Sequence, residues 1–210
     1  MFISGVPLAK IDDENNFKSQ RLSHRNASES VEFFKVVDEV RQNNEYFHKD
    51  LRKRAAFTSN QRQFQREVLS AHNFYRARHC AKPLQLNDVL SRSAQNFAQK
   101  LANTNQFHHS GTPGVGENLY MAISSKSIKV NGNAPVTAWY NEIQHYNFNR
   151  GGFSKITGHF TQVVWRSTTK LGVGIAYANG GRSIYVVTRY SPPGNYAGQY
   201  QANVRRQGSC

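Results

Sequence analysis

Acidic residues nearly vanish from this chain after position 62. Of its 13 Asp and Glu, nine fall in residues 1–62, and only Glu67, Asp88, Glu117 and Glu142 follow. Lys and Arg do not thin out in step. Residues 1–62 hold 11 of them and residues 63–210 hold 16, so the two parts carry formal charges of +2 and +12. A field of that sign attracts polyanions such as anionic lipid head groups, nucleic acid or sulfated glycans, the plain alternative being a soluble basic surface with no specific partner. Cysteine is also scarce. Cys80 and Cys210 cannot supply the several bridges of a small secreted scaffold, and they read as unpaired thiols of a reducing compartment. No apolar run approaches the ~20 residues that a spanning helix needs. The start, Met1-Phe2-Ile3-Ser4-Gly5-Val6, lacks a basic segment and soon meets Asp12, Asp13 and Glu14. A secretory signal is therefore not expected, and the triplet Asn26-Ala27-Ser28 is expected to stay unglycosylated.

Short motifs that would define a chemistry are missing as well. There is no Gly-x-Ser-x-Gly elbow, no His-Glu-x-x-His run, and no zinc-finger or RNA-recognition signature. Met1-Phe2 excludes N-myristoylation, and Cys210, as the last residue given, is not in a prenylation position. S-acylation of either thiol stays open. No internal repeat is seen.

What is present reads as a polar extension followed by one globular unit. Residues 1–30 are polar and irregular and are expected to be largely disordered. Asn26 and Glu29 form a weak helix-start signal, and Val31, Phe34, Val37 and Val40 recur at helical spacing, as in a short amphipathic helix. Lys49-Asp50-Leu51-Arg52-Lys53-Arg54 is a basic cluster suited to an anionic surface or simply to solvent. The unit expected over 63–205 opens with Phe64, Val68, Ala71 and Tyr75 on one helical face. Pro83 ends that segment. Asn87 suits the cap of a second helix with the stripe Val89, Leu90, Ala94, Phe97 and Leu101. Residues 105–134 read as loop. Pro135 suits a first helical turn, after which Trp139, Ile143 and Tyr146 step at helical spacing and share a face with Glu142. Residues 171–177 and 183–188 read as strands joined by the hairpin signal Asn179-Gly180-Gly181. Helices first and paired strands later predict an α+β fold.

Two runs carry the chemistry. Gly158-His159-Phe160-Thr161-Gln162-Val163-Val164-Trp165 sets an imidazole ahead of an apolar segment, and Gly114-Val115-Gly116-Glu117-Asn118-Leu119 puts one of the few carboxylates after two glycines. Glu142 beside Trp139 and Tyr146 is half-buried by this reading, so a histidine or a cation is expected next to it. His72 reads as a packing or capping residue. His145 is placed to make a surface pair with Glu142, and His108 competes with His109.

These runs resemble the CAP superfamily (cysteine-rich secretory proteins, antigen 5, plant pathogenesis-related 1). The run 158–165 is similar to the first family signature, and Tyr185-Val186-Val187-Thr188-Arg189-Tyr190-Ser191-Pro192-Pro193-Gly194-Asn195-Tyr196 to the second. Ala71-His72-Asn73-Phe74-Tyr75-Arg76, His109-Ser110, Gly116-Glu117-Asn118-Leu119 and Trp139-Tyr140-Asn141-Glu142 fall in the family's order, over roughly residues 63–205. Thr188 stands where secreted members usually carry cysteine, which resembles the Golgi-associated pathogenesis-related 1-like branch. The resemblance implies a three-layer α–β–α sandwich with a cleft of two His and two Glu, here His109, Glu117, Glu142 and His159. It implies that this set could hold Zn²⁺ or another divalent cation, with no organic cofactor. Two His–Glu pairs that merely hydrogen-bond and hold loops remain the alternative.

The expected function is therefore non-enzymatic binding of anionic membranes or lipids. The expected partners are a membrane surface, a sterol or other lipid as the resemblance implies, and a second copy of the chain, with no specific nucleic acid. The expected place is intracellular, at the cytoplasmic face of Golgi or other membranes, the alternative being unconventional export. A metal-assisted hydrolase with Glu117 or Glu142 as base is a second reading. A third is recruitment of a partner protein by residues 1–62.

Overall fold

The computed structural model describes residues 27–55 and 57–210, and of residues 27–30 and 46–55 the backbone alone. The chain divides into two compact units at Ala56/Phe57. In the first, Ala27–Ala55 form one helix, α1. It is far longer than the apolar spacing over 31–40 suggests, and the basic cluster 49–54 belongs to its backbone. Val31, Phe33, Phe34, Val36 and Val40 are exposed. Asn26 and the irregular stretch before it lie outside the described residues.

The second unit begins with helix α2 (Ser59–Ala77). Thr58 caps it: its hydroxyl accepts from the Gln61 N–H at 3.2 Å, and the Gln61 side chain accepts from the Thr58 N–H at 2.9 Å. Phe64, Val68 and Ala71 are buried as the spacing predicts. Two-residue strand β1 (Gln85–Leu86) leads to α3 (Asp88–Thr104), where the Asn87 side chain accepts from the Leu90 N–H at 3.0 Å. Asn105, at φ 49°, ends that helix in the left-handed region. The predicted stripe on α3 shifts. Ala94, Phe97 and Leu101 are buried as predicted, but Val89 is 73% exposed, and Ser91, Ala98 and Ala102 join the inward face. The reason lies across the interface in β3 (Lys170–Ala178). A Cβ added at Gly172 would sit 2.2 Å from the Leu90 carbonyl carbon, and one at Gly174 2.3 Å from the Gln95 amide nitrogen. Glycine lets the helix backbone lie directly on the strand, so small residues make the contact.

Residues 105–134 are not loop throughout. Gly116–Ile123 form β2, which pairs antiparallel with β4 (Ser183–Ser191). The alternation that marks a strand is scrambled there, because Asn118 is buried while Met121 and Ile123 are exposed. The sheet order is β1-β3-β4-β2, with β1 parallel to β3 and the other pairings antiparallel. β3 and β4 form the predicted hairpin through Asn179–Gly181.

Helix α4 (Asn133–Tyr140) passes into a 3₁₀ turn over Asn141–His145, and Tyr146 is already extended. Trp139, Glu142 and Tyr146 therefore do not share a single helix face. The short helices α5 (Gly158–Val164) and α6 (Tyr200–Asn203) complete the unit. One core cluster joins residues of α2, α4 and α5 to Val173, Ile184, Val186 and Tyr190 of the sheet. The other joins α3 to Leu119, Ala176, Tyr185 and Val187. Strand residues alternate between the two, which makes this a three-layer α–β–α sandwich within an α+β fold.

Two further features pin this layering. Arg76 is fully buried, and its guanidinium donates to the carbonyls of Lys82, Val163, Trp165 and Thr168 at 2.8–3.0 Å. Burial lowers its pKa to about 10. It clamps the end of α5. The second feature is a disulfide between Cys80 and Cys210, which overturns the expectation of unpaired thiols and, while formed, leaves neither sulfur free for S-acylation. Their separation of 130 residues leaves no local spacing to read. The final turn brings them together: the Gly208 N–H donates to Arg78 O, and His79 Nδ1 meets Arg205 O at 2.6 Å.

Candidate functional site

The four residues singled out by the sequence form two pairs beside β2, the edge strand. Glu142, in the 3₁₀ turn, reaches the start of α5. Its Oε1 accepts from His159 Nδ1 at 2.7 Å, and its Oε2 accepts from the backbone N–H groups of His159 and Phe160, both at 3.0 Å. These donors would otherwise be unpaired at a helix start, so the carboxylate caps α5 and fixes the imidazole together. The His159 ring also stacks on buried Trp139, 6.2 Å between centroids. Trp139 in turn donates through Nε1 to Leu119 O. His145 is exposed and makes no bond to Glu142 that would form the expected pair; it lines a cavity with Tyr146, Asn147, Arg150, Phe153 and Thr157 among others.

Glu117 lies on β2 opposite Arg189. Its Oε1 accepts from His109 Nδ1 at 2.8 Å and from the Ser110 N–H at 2.9 Å, while Arg189 Nη2 stands 3.4 Å from Oε2. Burial raises the Glu117 pKa, but the hydrogen bonds from His109 and Ser110, together with the Arg189 charge, outweigh it and hold the group below its ordinary range. The bond to Glu117 raises the pKa of His109. The structure thus puts His109 on Glu117; His108 is exposed, contacts the His109 carbonyl and meets Phe97 edge-on.

Glu117 and Asn118 point to opposite faces of β2. Glu117 shares its face with Leu119, which packs in the α3 cluster. Asn118 faces the other way and donates to His159 O at 3.1 Å and to the Tyr190 hydroxyl at 3.2 Å. No group of three or more His, Cys, Asp and Glu able to hold a metal is found among the described residues.

An ionised carboxylate can only accept, so Nδ1 of each imidazole carries the proton in its pair. In the neutral ring that leaves Nε2 with the lone pair. Histidine that donates through one nitrogen to a carboxylate and ligates through the other is a recurring metal arrangement. The donor chemistry fits a divalent cation in this form, with the carboxylates behind the imidazoles.

Sequence reasoning passed over the residues behind the site. Arg189 is 2% exposed and also donates to Ser110 Oγ at 3.1 Å. A lone arginine inside an otherwise apolar strand was the available signal. Tyr190 OH accepts from Asn118 and Thr188, so its proton goes to His72 Nε2 at 2.8 Å. His72 Nδ1 donates to Val68 O at 2.8 Å. Burial drives the His72 pKa down to about 3, so it stays neutral as a core connector. Ser110 Oγ is bonded to Arg189 and to Thr112, an arrangement that holds the loop rather than one that activates a nucleophile.

A sheet with helices on both faces and two His–Glu pairs beside its edge strand is the arrangement that the CAP resemblance implied. The profile described as "CAP: Cysteine-rich secretory protein family" matches residues 69–190, and the chain belongs to this family. It is 44% identical over 148 residues to human Golgi-associated plant pathogenesis-related protein 1, covering 68% of this chain and 93% of that one. Among solved structures it resembles BmVAL-1 in fold, with a TM-score of 0.57 at 24% identity, covering 72% of this chain and 82% of that one. It also resembles a structure described as NaASP2 with Zn²⁺, with a TM-score of 0.52 at 26% identity, covering 70% and 86%.

Proposed function

We propose that this CAP domain is a non-enzymatic module that docks on anionic membrane surfaces and takes a divalent cation at its His–Glu site. The carrying observation is the fate of the four acids after residue 62. Asp88 pairs with Arg62 at 2.7 Å, and Glu67 accepts from Gln63 and from the Gly132 N–H. Glu117 and Glu142 are held by the two histidines. Little negative charge is left to offset the surface Lys and Arg, so the net positive charge of residues 63–210 acts outward, buried Arg76 and Arg189 apart. Each Lys or Arg near an anionic leaflet contributes about 1 kcal/mol.

Lipid of the sterol kind is the ligand class that the family resemblance suggests for the fold. The 44% identical relative is called Golgi-associated, which supports a Golgi membrane as the place of action. A cation would be held by Nε2 of His109 and His159, polarised from behind by Glu117 and Glu142. The bonding of Ser110 Oγ to Arg189 and Thr112 supports the non-enzymatic reading over a hydrolase.

Vesicle co-sedimentation of the full chain tests the docking. Vesicles with phosphatidylserine should bind it and pure phosphatidylcholine vesicles should not, with binding falling steeply between about 0.05 and 0.5 M salt as screening shortens the field. Equal binding to both vesicle types, or no response to salt, would sink the electrostatic reading.

A further inference from the structure

The loop between the 3₁₀ turn and α5 combines three properties not shared by the other loops named above. Its side chains Phe153 and Ile156 are 64% and 61% exposed. Its turn is built on Gly151 and Gly152, at φ 64° and 92°, which only glycine adopts cheaply. Its charge is of one sign: residues 143–210 contain no Asp or Glu, Arg150 precedes the apolar pair and Lys155 sits between its two members. The loop is also held in shape. Asn147 Oδ1 accepts from the N–H groups of Asn149 and Arg150, and Asn147 O from the Gly151 N–H. From outside, Gln201 donates to Asn149 O at 3.0 Å and Arg206 to Asn149 Oδ1 at 2.6 Å.

Two apolar side chains held out into water on a fixed turn lose hydration free energy without a packing gain. With cations beside them, the surface that relieves this is a bilayer interface: apolar tips below, ammonium and guanidinium groups at phosphate level. A cavity of about 270 Å³ opens at the base of the loop, lined by Tyr146, Asn147, Arg150, Ser154 and Thr157, with Phe153 forming part of its wall. Its hydroxyl, amide and guanidinium groups suit phosphate oxygens rather than an acyl chain.

We propose that residues 147–157 are the membrane-docking element. Phe153 and Ile156 enter the acyl boundary, Lys155 and Arg206 contact head groups, and an anionic phospholipid head group sits in the cavity against Arg150. This rests on the membrane reading above and adds the place of contact and a hydrophobic component. Docking there would set the bilayer beside Glu142 and His159, which bound the loop at its two ends.

The test uses the full chain with phosphatidylserine vesicles whose acyl chains are brominated. In Phe153→Trp, the added indole should be quenched, while buried Trp139 and Trp165 supply the unquenched background. The double variant Phe153→Ser/Ile156→Ser should weaken vesicle binding about tenfold or more, given the apolar area withdrawn. Val89→Ser, on the α3 layer and 73% exposed, should bind as the parent does, and circular dichroism should show all variants folded. If the parent chain sediments with these vesicles but the indole introduced by Phe153→Trp is unquenched and the double variant binds normally, the docking loop is wrong and the charge-based reading stands. If the parent chain does not sediment at all, the membrane reading itself fails and this inference falls with it.

Discussion

His109 and Glu117 each favour the charged form of the other, and the direction of each shift sets a pH window. The His109 pKa is raised above 6.5, so its contribution to stability is whole below about 6.5 and is lost as pH rises through the raised value. The Glu117 pKa is lowered below 4.5, so its contribution is whole above about 4.5 and is lost as pH falls through the lowered value. The pair is fully formed between those limits. A histidine NMR titration should place His109 above the ordinary range, and Glu117→Gln should bring it back. An unmoved His109 would mean that the 2.8 Å contact is not an ion pair in solution. The same proton competes with a cation at the site. Zn²⁺ uptake followed by calorimetry should weaken as pH falls through the histidine range, and His159→Ala should abolish it while His108→Ala leaves it intact. No uptake at neutral pH would make the two pairs a hydrogen-bond network only. The chain's own residues announced much of this arrangement. Glu117 and Glu142 stood out because a domain with four acids placed one after Gly114 and Gly116 and another beside two aromatics. Arg189 and Asn118 did not stand out, because a residue that works by touching another strand leaves no periodic trace.

At the scale of elements, the cap at Asn87 was legible and the interfaces were not. Asn87 is a cap that depends on a neighbour three residues away; Thr58 is the same kind of cap, but it precedes the expected start of the unit at residue 63. Strand β2 escaped because edge strands need bury only one face and this one buries an asparagine there. The outward turn of Val89 escaped because it depends on Gly172 and Gly174, in a strand that lies far along the chain from α3. That dependence is testable. At Gly174 a Cβ would lie 2.3–2.5 Å from three backbone atoms of Ala94 and Gln95, and none of them can rotate away. Gly174→Ala should therefore cost about 3 kcal/mol or more in urea unfolding, the upper range of overpacking. Gly180→Ala, with nothing within 4 Å but φ at 64°, should cost only about 1 kcal/mol. Equal costs at the two sites would show that the helix does not rest on the strand as described.

At the scale of the molecule, the disulfide ties the end of α2 to the last residue given and so encloses nearly the whole sandwich. Closing a loop of 130 residues restricts the unfolded chain by about 5 kcal/mol in the entropy model, and measured bridges commonly give about 2–4. Cys210→Ser should therefore lower the unfolding free energy of the domain by about 2–4 kcal/mol, with the fold intact at room temperature. The residues around the bridge support that outcome: buried His79 stays held by Tyr140 at 2.9 Å, and Arg166 still reaches Cys80 O. The same bond bears on where the protein works. Expectation of a cytoplasmic face rested partly on free thiols, and a cytosolic pool would keep Cys80 and Cys210 reduced. Alkylation of the protein in freshly lysed cells, followed by intact mass measurement, distinguishes the cases. The expected result is no added label until a reductant is present, which would place the chain in an oxidising compartment. Two labels without reductant would return it to the cytosolic side and remove the bridge from its stability there.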